Sequence, residues 1–183
     1  MYLRPFFIMK EIELKILNID RSVLEKKLID LGAEKTFDGD LKMYFFDDSS
    51  ESIRKNKQCL RLRRYGNKVF LAFKQSLSRD KVKMATEYET EVIDFNATKS
   101  LLESLGYSVW VHMQKHRTTY TLDGLSFEFD KHHDQYSYVP EFLEIEGPRK
   151  EKIYRYVKLL GYKESDCKPW TIMDVVKEYK DLP

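Results

Sequence analysis

Apolar and charged residues alternate almost strictly through Glu11-Ile12-Glu13-Leu14-Lys15-Ile16-Leu17. Side chains on a β-strand point to opposite faces with period two, so Glu11, Glu13 and Lys15 share one face and Ile12, Leu14 and Ile16 share the other. Taken alone, such a strand reads as one wet face of an antiparallel sheet. The same charged alternation returns downstream. Cys59 to Tyr65 and Val69 to Gln75 form a hairpin around the turn Gly66-Asn67, with Arg61 and Arg63 on one face and Lys74 near the end of the second strand. Thr86 to Val92 presents Glu87, Glu89 and Glu91 together. Lys115 to Leu122 presents Lys115 and Arg117, and Asp123-Gly124 turns it into Leu125 to Asp130, where Glu128 and Asp130 oppose Leu125, Phe127 and Phe129. Phe142 to Glu146 adds Glu144 and Glu146, while Leu41 to Phe46 and Tyr107 to Met113 are further strands.

Between the strands the period lengthens toward 3.6. A helix capped by Asp20 carries Val23, Leu24, Leu28 and Leu31 and stops at Gly32; a second, capped by Asn96, runs from Ala97 to Leu105 and stops at Gly106. A third spans Lys150 to Leu160 before Gly161, and a fourth runs from Thr171 to Lys180, toward residue 181. That last helix is expected to be structural, with a lid over one mouth of the fold as the sharper alternative. Trp170 beside it is expected to anchor it to the core, with stacking on a base as the alternative. Glu51 to Gln58, Ser76 to Lys83 and Lys131 to Pro140 read as loops, the last carrying His132 and His133 as solvent-facing side chains rather than metal ligands.

Three times a Glu-x-Glu strand leads into a helix ending in Leu-Gly: Glu11/Glu13 with Leu31-Gly32, Glu89/Glu91 with Leu105-Gly106, and Glu144/Glu146 with Leu160-Gly161. The spacing is irregular, which excludes a solenoid and implies similar strand-plus-helix units around one sheet. Amphipathic helices need an apolar sheet face to cover, so the charged face must lie on the other side. On an open sheet that face is solvated and its cross-strand ion pairs explain the alternation. In a closed barrel the same residues line a charged lumen. Enclosed charges lose hydration that mutual attraction only partly restores, so function is the better explanation of such a lumen. Lys and Arg converging from several strands suit a polyanion, and clustered carboxylates suit Mg²⁺ or Mn²⁺.

Composition narrows the partners. The 183 residues fit a single domain, spanning residues 1–183, with 34% charged residues but a net charge of only +2. No global field advertises nucleic acid or an anionic membrane. Cys59 and Cys167 lie far apart and form no metal-ligand pair, which points to a reducing, cytoplasmic setting. The opening run is too short, and too broken by Arg4 and Pro5, for a signal peptide or membrane span. If Met9 is the start, residues 1–8 are an appendage.

Met9-Lys10-Glu11-Ile12-Glu13-Leu14-Lys15 resembles the N-terminal Glu-x-Glu-x-Lys signature of the CYTH superfamily, the triphosphate tunnel metalloenzymes. The likeness continues through Tyr44-Phe45-Phe46-Asp47, Leu60-Arg61-Leu62-Arg63, Lys74, Glu87 to Val92, Lys115-His116-Arg117 and Phe142 to Gly147. It looks closest to the branch of class IV adenylyl cyclases and thiamine triphosphatases. The resemblance implies an α+β fold, a closed eight-stranded antiparallel β-barrel forming a tunnel with helices packed outside.

It also implies roles. Lys15, Arg61, Arg63, Lys74, Lys115 and Arg117 would hold the triphosphate; Glu11, Glu13, Glu144 and Glu146 would lead the Mg²⁺ or Mn²⁺ ligands; Glu87, Glu89, Glu128 and Asp130 would complete a second metal site or orient the bases. Lys15 and Glu13 would be catalytic. Ala85 stands where the family often has Arg, and Lys42 where it often has an acid. The expected activity is metal-dependent hydrolysis of tripolyphosphate, thiamine triphosphate or a nucleoside triphosphate, by a monomer or homodimer. The alternatives are a cyclase making cyclic AMP and pyrophosphate from ATP, and a binding module without turnover.

Overall fold

The computed structural model describes residues 7–180. Most of the expected appendage therefore lies outside the described residues, and Phe7 and Ile8 are the first two positions of β1 (Phe7–Ile16). The other strands are β2 (Glu34–Asp47), β3 (Gln58–Tyr65), β4 (Lys68–Ser78), β5 (Lys83–Val92), β6 (Ser108–Leu122), β7 (Leu125–His132) and β8 (Phe142–Gly147). They pair in the order β5-β4-β3-β2-β6-β7-β8-β1, and β1 pairs again with β5, closing an antiparallel barrel of eight strands. Closure removes both sheet edges and turns one face of every strand into a lumen. A two-residue strand, β9 (Cys167–Lys168), lies outside the ring and pairs with β1 at Lys15 and Ile16, just beyond where β5 ends its pairing with β1.

Three helices cover the outer face: α1 (Arg21–Asp30), α3 (Phe95–Ser104) and α4 (Lys150–Leu159). Ile12, Leu14, Ile16, Phe127, Phe129, Leu143 and Ile145 form one core with Leu24 and Leu28 of α1 and Ile153 and Val157 of α4. Fully buried side chains of this kind each contribute about 1.5–3 kcal/mol, so this cluster is what drives the barrel wall and helices together. Phe46, Leu62 and Val69 pack against Phe95 and Leu102 of α3 in a second core. Each helix ends as its Leu-Gly signal requires. Gly32, Gly106 and Gly161 have φ of 89°, 91° and 95°, and the residue after each glycine donates its N–H back to Leu28, Leu102 or Val157 at 2.9–3.1 Å. These are Schellman closures, whose left-handed residue glycine adopts without steric cost.

Several expectations are corrected. The cap of α3 is Asp94 rather than Asn96; its carboxylate accepts from the Ala97 N–H at 2.6 Å, which frees Phe95 to begin the helix as a core residue. The segment expected to be a loop from Glu51 holds a single helical turn, α2 (Ser52–Lys55), gathered by Asp47 and Asp48, whose carboxylates accept backbone N–H groups from Ser52, Ile53 and Arg54. The expected strands on either side of Gln114 are one, because Gln114 is an ordinary ladder partner of Lys42. β4 and β5 reach further into the expected Ser76–Lys83 loop, to Ser78 and from Lys83. Val23 and Leu31 are exposed, leaving α1 to bind through Leu24 and Leu28.

The fourth helix, α5 (Ile172–Lys180), packs across one end of the barrel. Val175 and Val176 join Met43, Phe45, Met113 and Phe142 in a third core, with Trp170 half-buried beside them. Phe142 therefore points inward with Glu144 and Glu146, and its neighbours Leu143 and Ile145 take the helix side. The first turn of α5 is tied down by Thr171, which bonds to Asp174, and by an ion pair of Asp174 with Arg79 at 3.4 Å.

Candidate functional site

The inward faces of the eight strands and the first turn of α5 enclose a cavity of about 740 Å³. That is within the roughly 300–1,000 Å³ of pockets that hold drug-sized ligands. Nearly every residue singled out from the sequence lines it: Glu11, Glu13 and Lys15 from β1, Arg61 and Arg63 from β3, Lys74 from β4, Glu87 and Glu89 from β5, Lys115 and Arg117 from β6, Glu128 and Asp130 from β7, Glu144 and Glu146 from β8. Glu91 does not: it is exposed at the end of β5 and pairs with Lys68 at 3.2 Å. Period two is the cause, since each set occupies alternate positions of its strand. The barrel register then sets which charges meet. Lys15 stands opposite Glu144 and Glu13 opposite Glu146.

Most of these charges are paired. Lys15 lies between Glu13 at 2.9 Å and Glu144 at 2.6 Å. Burial alone would lower the Lys15 ammonium, but the two carboxylates outweigh it and hold it above its ordinary range. Burial and Glu144 push Glu13 up, yet Lys15 and Lys83 bring it down to about 2. Lys74 joins Glu11 and Glu87, at 2.5 and 3.1 Å. Arg117 holds Asp130 at 2.6 Å and also contacts Glu128. Lys115 donates to Asp130 as well, but burial and the neighbouring Arg117 guanidinium lower it to about 8. Glu89 binds Arg63 at 2.8 Å and Glu87 meets Arg61 at 3.5 Å, so these two acids orient bases.

Two places keep binding capacity beside these pairs. On β3, the buried Nε atoms of Arg61 and Arg63 have no hydrogen-bond partner among the described residues, and burial together with the Arg61 charge lowers Arg63. On β7 and β8, carboxylate oxygens of Glu128, Glu144 and Glu146 come within 4.8 Å of one another. Among the described residues no base pairs with Glu146, and burial with the nearby Glu11 and Glu128 charges raises it well above its usual range. Glu128 is raised too, by burial despite Arg117. Three converging carboxylates, one of them without a base, are the donor set that fits a hard divalent cation. Glu11 and Glu13 stand next to this group, held by lysines.

The lumen holds more than the charge pattern announced. Lys83, read as the end of a loop, bonds Glu13 at 2.8 Å. The inward face of β2 is apolar, with Leu41, Met43 and Phe45. His132 is the clearest correction: it is the last residue of β7, 2% exposed, and lines the cavity. Burial and the Lys115 charge push its imidazole down to about 3, so it is neutral. A signal was present, because His132 continues the alternation Ser126, Glu128, Asp130 by one more step. Arg54, Lys57 and Arg79, outside any alternating run, also reach the cavity. His133 is half-buried beyond the strand end. No helix among the described residues is long and apolar enough to cross a membrane.

The CYTH domain profile matches residues 9–154. No curated protein matches the chain. Among solved structures, a protein from Pyrococcus horikoshii OT3 is 24% identical and superposes with a TM-score of 0.76, covering 90% of this chain and 98% of its own. A candidate adenylate cyclase from Vibrio parahaemolyticus is 15% identical with a TM-score of 0.77, covering 93% and 99%. A candidate adenylyl cyclase from Hippeastrum with a dominant triphosphatase activity is 19% identical with a TM-score of 0.66, covering 96% and 98%. At these identities the structural likeness concerns the fold.

Proposed function

The chain belongs to the CYTH domain family, and from that premise we propose that it is a divalent-metal-dependent enzyme that cleaves a phosphoanhydride of a triphosphate. The observation that carries this reading is the separation, inside one cavity, of guanidinium donors without partners on β3 from converging carboxylates on β7 and β8. A triphosphate bearing a bound cation satisfies both at once.

Arg61 and Arg63 have donors to spare for phosphate oxygens, and Arg matches such oxygens with paired N–H groups. Lys74, Lys115 and Arg117 add charge from the neighbouring strands. Each is already oriented by a carboxylate, so little rotamer freedom remains to be lost on binding. Glu128, Glu144 and Glu146, with Glu11 and Glu13 beside them, would hold Mg²⁺ or Mn²⁺. Such a cation supplies Lewis-acid polarisation of phosphoryl oxygens and neutralisation of their charge. Lys15, fixed between Glu13 and Glu144, stands where the acidic and basic walls meet and positions the attacking water at the terminal phosphorus. The bond from the water oxygen to the terminal phosphorus forms as the bridging P–O bond breaks; the water proton passes to a carboxylate, the diphosphate portion leaves with the bridging oxygen and its electron pair, and the terminal phosphoryl group is released as orthophosphate. Positioning and charge stabilisation supply most of the acceleration in such transfers.

The cyclase reading uses the same bases, with the ribose 3′ hydroxyl attacking the α-phosphorus and pyrophosphate leaving. The name of the Hippeastrum structure joins the two activities on one fold. Two unpaired cysteines support a cytoplasmic setting. Incubation with ATP, thiamine triphosphate and tripolyphosphate, each with Mg²⁺ or Mn²⁺, tests the proposal. Orthophosphate release is the expected result. Cyclic AMP with pyrophosphate selects the cyclase, and tight binding without product selects a binding module.

A further inference from the structure

Two lysines converge on one carboxylate oxygen where the acidic and basic walls of the lumen meet. Lys83 is the first residue of β5, and the β1 register sets it directly opposite Glu13, whose other cross-strand neighbour is Glu146 of β8. The Lys83 ammonium reaches Glu13 Oε1 at 2.8 Å, and the Lys15 ammonium reaches the same oxygen at 2.9 Å. Lys15 has a second carboxylate, Glu144, at 2.6 Å, just as Lys74 has both Glu11 and Glu87. Among the described residues Lys83 has Glu13 alone.

One carboxylate cannot neutralise two ammonium groups, and like charges on a shared oxygen repel. Lys15, fixed from the far side by Glu144, is the permanent partner. Lys83 is the one free to leave: its four-carbon stem is flexible and its side chain is 14% exposed to the cavity, against 3% for Lys15. The next inward position on β5 is the buried Ala85, whose methyl leaves the way along the strand toward Glu87 open to that stem. Glu13 also stands beside the three converging carboxylates, so a divalent cation held there is repelled by an ammonium on the adjoining oxygen. Lys83 and the cation therefore compete for Glu13.

We propose that Lys83 is a displaceable counter-ion: it neutralises Glu13 in the cation-free chain, gives that carboxylate up when a divalent cation binds, and then donates to the terminal phosphoryl oxygens of the triphosphate. This rests on the proposed function and deepens it, by making part of the grip on phosphate conditional on the cation. Lys83 makes and breaks no covalent bond; it carries one positive charge from the acidic wall to the substrate. Cation and triphosphate thereby reinforce each other's binding, and the reinforcement is reciprocal.

The test measures Kd by calorimetry on the full chain for Mn²⁺ alone, for tripolyphosphate in chelator, and for tripolyphosphate at saturating Mn²⁺. Lys83→Met keeps most of the stem and removes the ammonium. Its Kd for Mn²⁺ should fall about 5–10-fold, its Kd for tripolyphosphate with Mn²⁺ should rise about tenfold, and its Kd for tripolyphosphate in chelator should change by less than about twofold. Lys83→Gln should move in the same three directions and serves if Lys83→Met fails to fold, while Lys83→Arg should recover most of the loss with Mn²⁺. Lys81→Met removes an equal charge from an exposed position on the outer surface and should move none of the three. An unchanged or higher Kd for Mn²⁺ in the Lys83 variants, or equal losses for tripolyphosphate with and without Mn²⁺, would overturn the inference while leaving the triphosphate reading intact. If the wild-type chain binds neither Mn²⁺ nor tripolyphosphate, the triphosphate reading fails and the inference fails with it.

Discussion

β3 and β8 stand four strands apart in the eight-strand ring by either route, and they differ in what they leave unused: donors on β3, crowded carboxylates on β8. Arg61 and Arg63 on β3 each keep a guanidinium Nε without a partner among the described residues. Glu144 and Glu146 on β8 crowd a third carboxylate, Glu128 of β7. Between them, β1 and β6 are nearly self-sufficient: Lys15 is clasped by two carboxylates, and Arg117 by Asp130 and Glu128. Breaking a satisfied buried pair strands a charge and costs about 3–5 kcal/mol, whereas an unsatisfied group costs stability already and repays it only when a ligand arrives. Residues of the first kind hold the lumen in shape, and on the proposed function residues of the second kind are where a ligand and its cation would bind.

That contrast can be broken by substitution. The largest effect is expected for Glu144→Gln, which removes a proposed cation ligand and a partner of Lys15. Metal-dependent turnover should fall by about a thousandfold or more while the circular dichroism spectrum is kept. Full activity would remove the acidic wall from the chemistry. Arg63→Ala comes next: the Kd for a triphosphate should rise about 10–100-fold, with a smaller rise for the matching diphosphate, because charge-assisted bonds of this type are worth about 1.5–3 kcal/mol. Equal losses for the two ligands would show that β3 does not grip the distal phosphates.

The sharper test of imbalance is stability. Replacing one of three crowded carboxylates relieves repulsion, so Glu146→Gln should raise the melting temperature in chelator by about 2–4 °C while activity falls. A lower melting temperature would mean that Glu146 is compensated in the free protein. The smallest effect lies outside the lumen. His116 is held by Asp40 at 2.8 Å and Asp38 at 2.7 Å, whose hydrogen bonds raise its pKa. A raised histidine pKa contributes stability that is complete below about 6.5 and lost as pH climbs through the folded value. The melting temperature should therefore drop between about pH 6 and 8 by under about 2 °C, given the exposure of the pair, and His116→Asn should flatten that slope. An unchanged slope in the variant would assign the effect elsewhere.

Alternation was enough to sort the charged residues, because period two binds every second side chain of a strand to one face whatever the strand pairs with. This is why the whole set from Glu11 to Glu146 was legible as a shared surface. The Leu-Gly helix stops were legible for a similar reason, since a left-handed residue is needed at one defined position. Lys83 and His132 were not, because strand ends depend on how far neighbouring ladders extend, and the partners of those ladders are distant in sequence. The cap at Asp94 was missed because Asp and Asn cap equally well, and only the burial of Phe95 decides between them.

By itself the sequence determined the strands, the faces their side chains share, the helices that cover the apolar side and the resemblance to a tunnel enzyme. The tertiary structure alone decided that β1 reaches β5 and closes the ring, which converts a wet face into a lumen and forces its charges to find partners. It also decided which charges fail to find them, since pairing across a barrel depends on register and tilt summed over eight strands. The apolar end with its buried histidine belongs to the same category. It exists only where α5 lies across the barrel mouth, a contact between residues more than a hundred positions apart in sequence for Met43 and Val175.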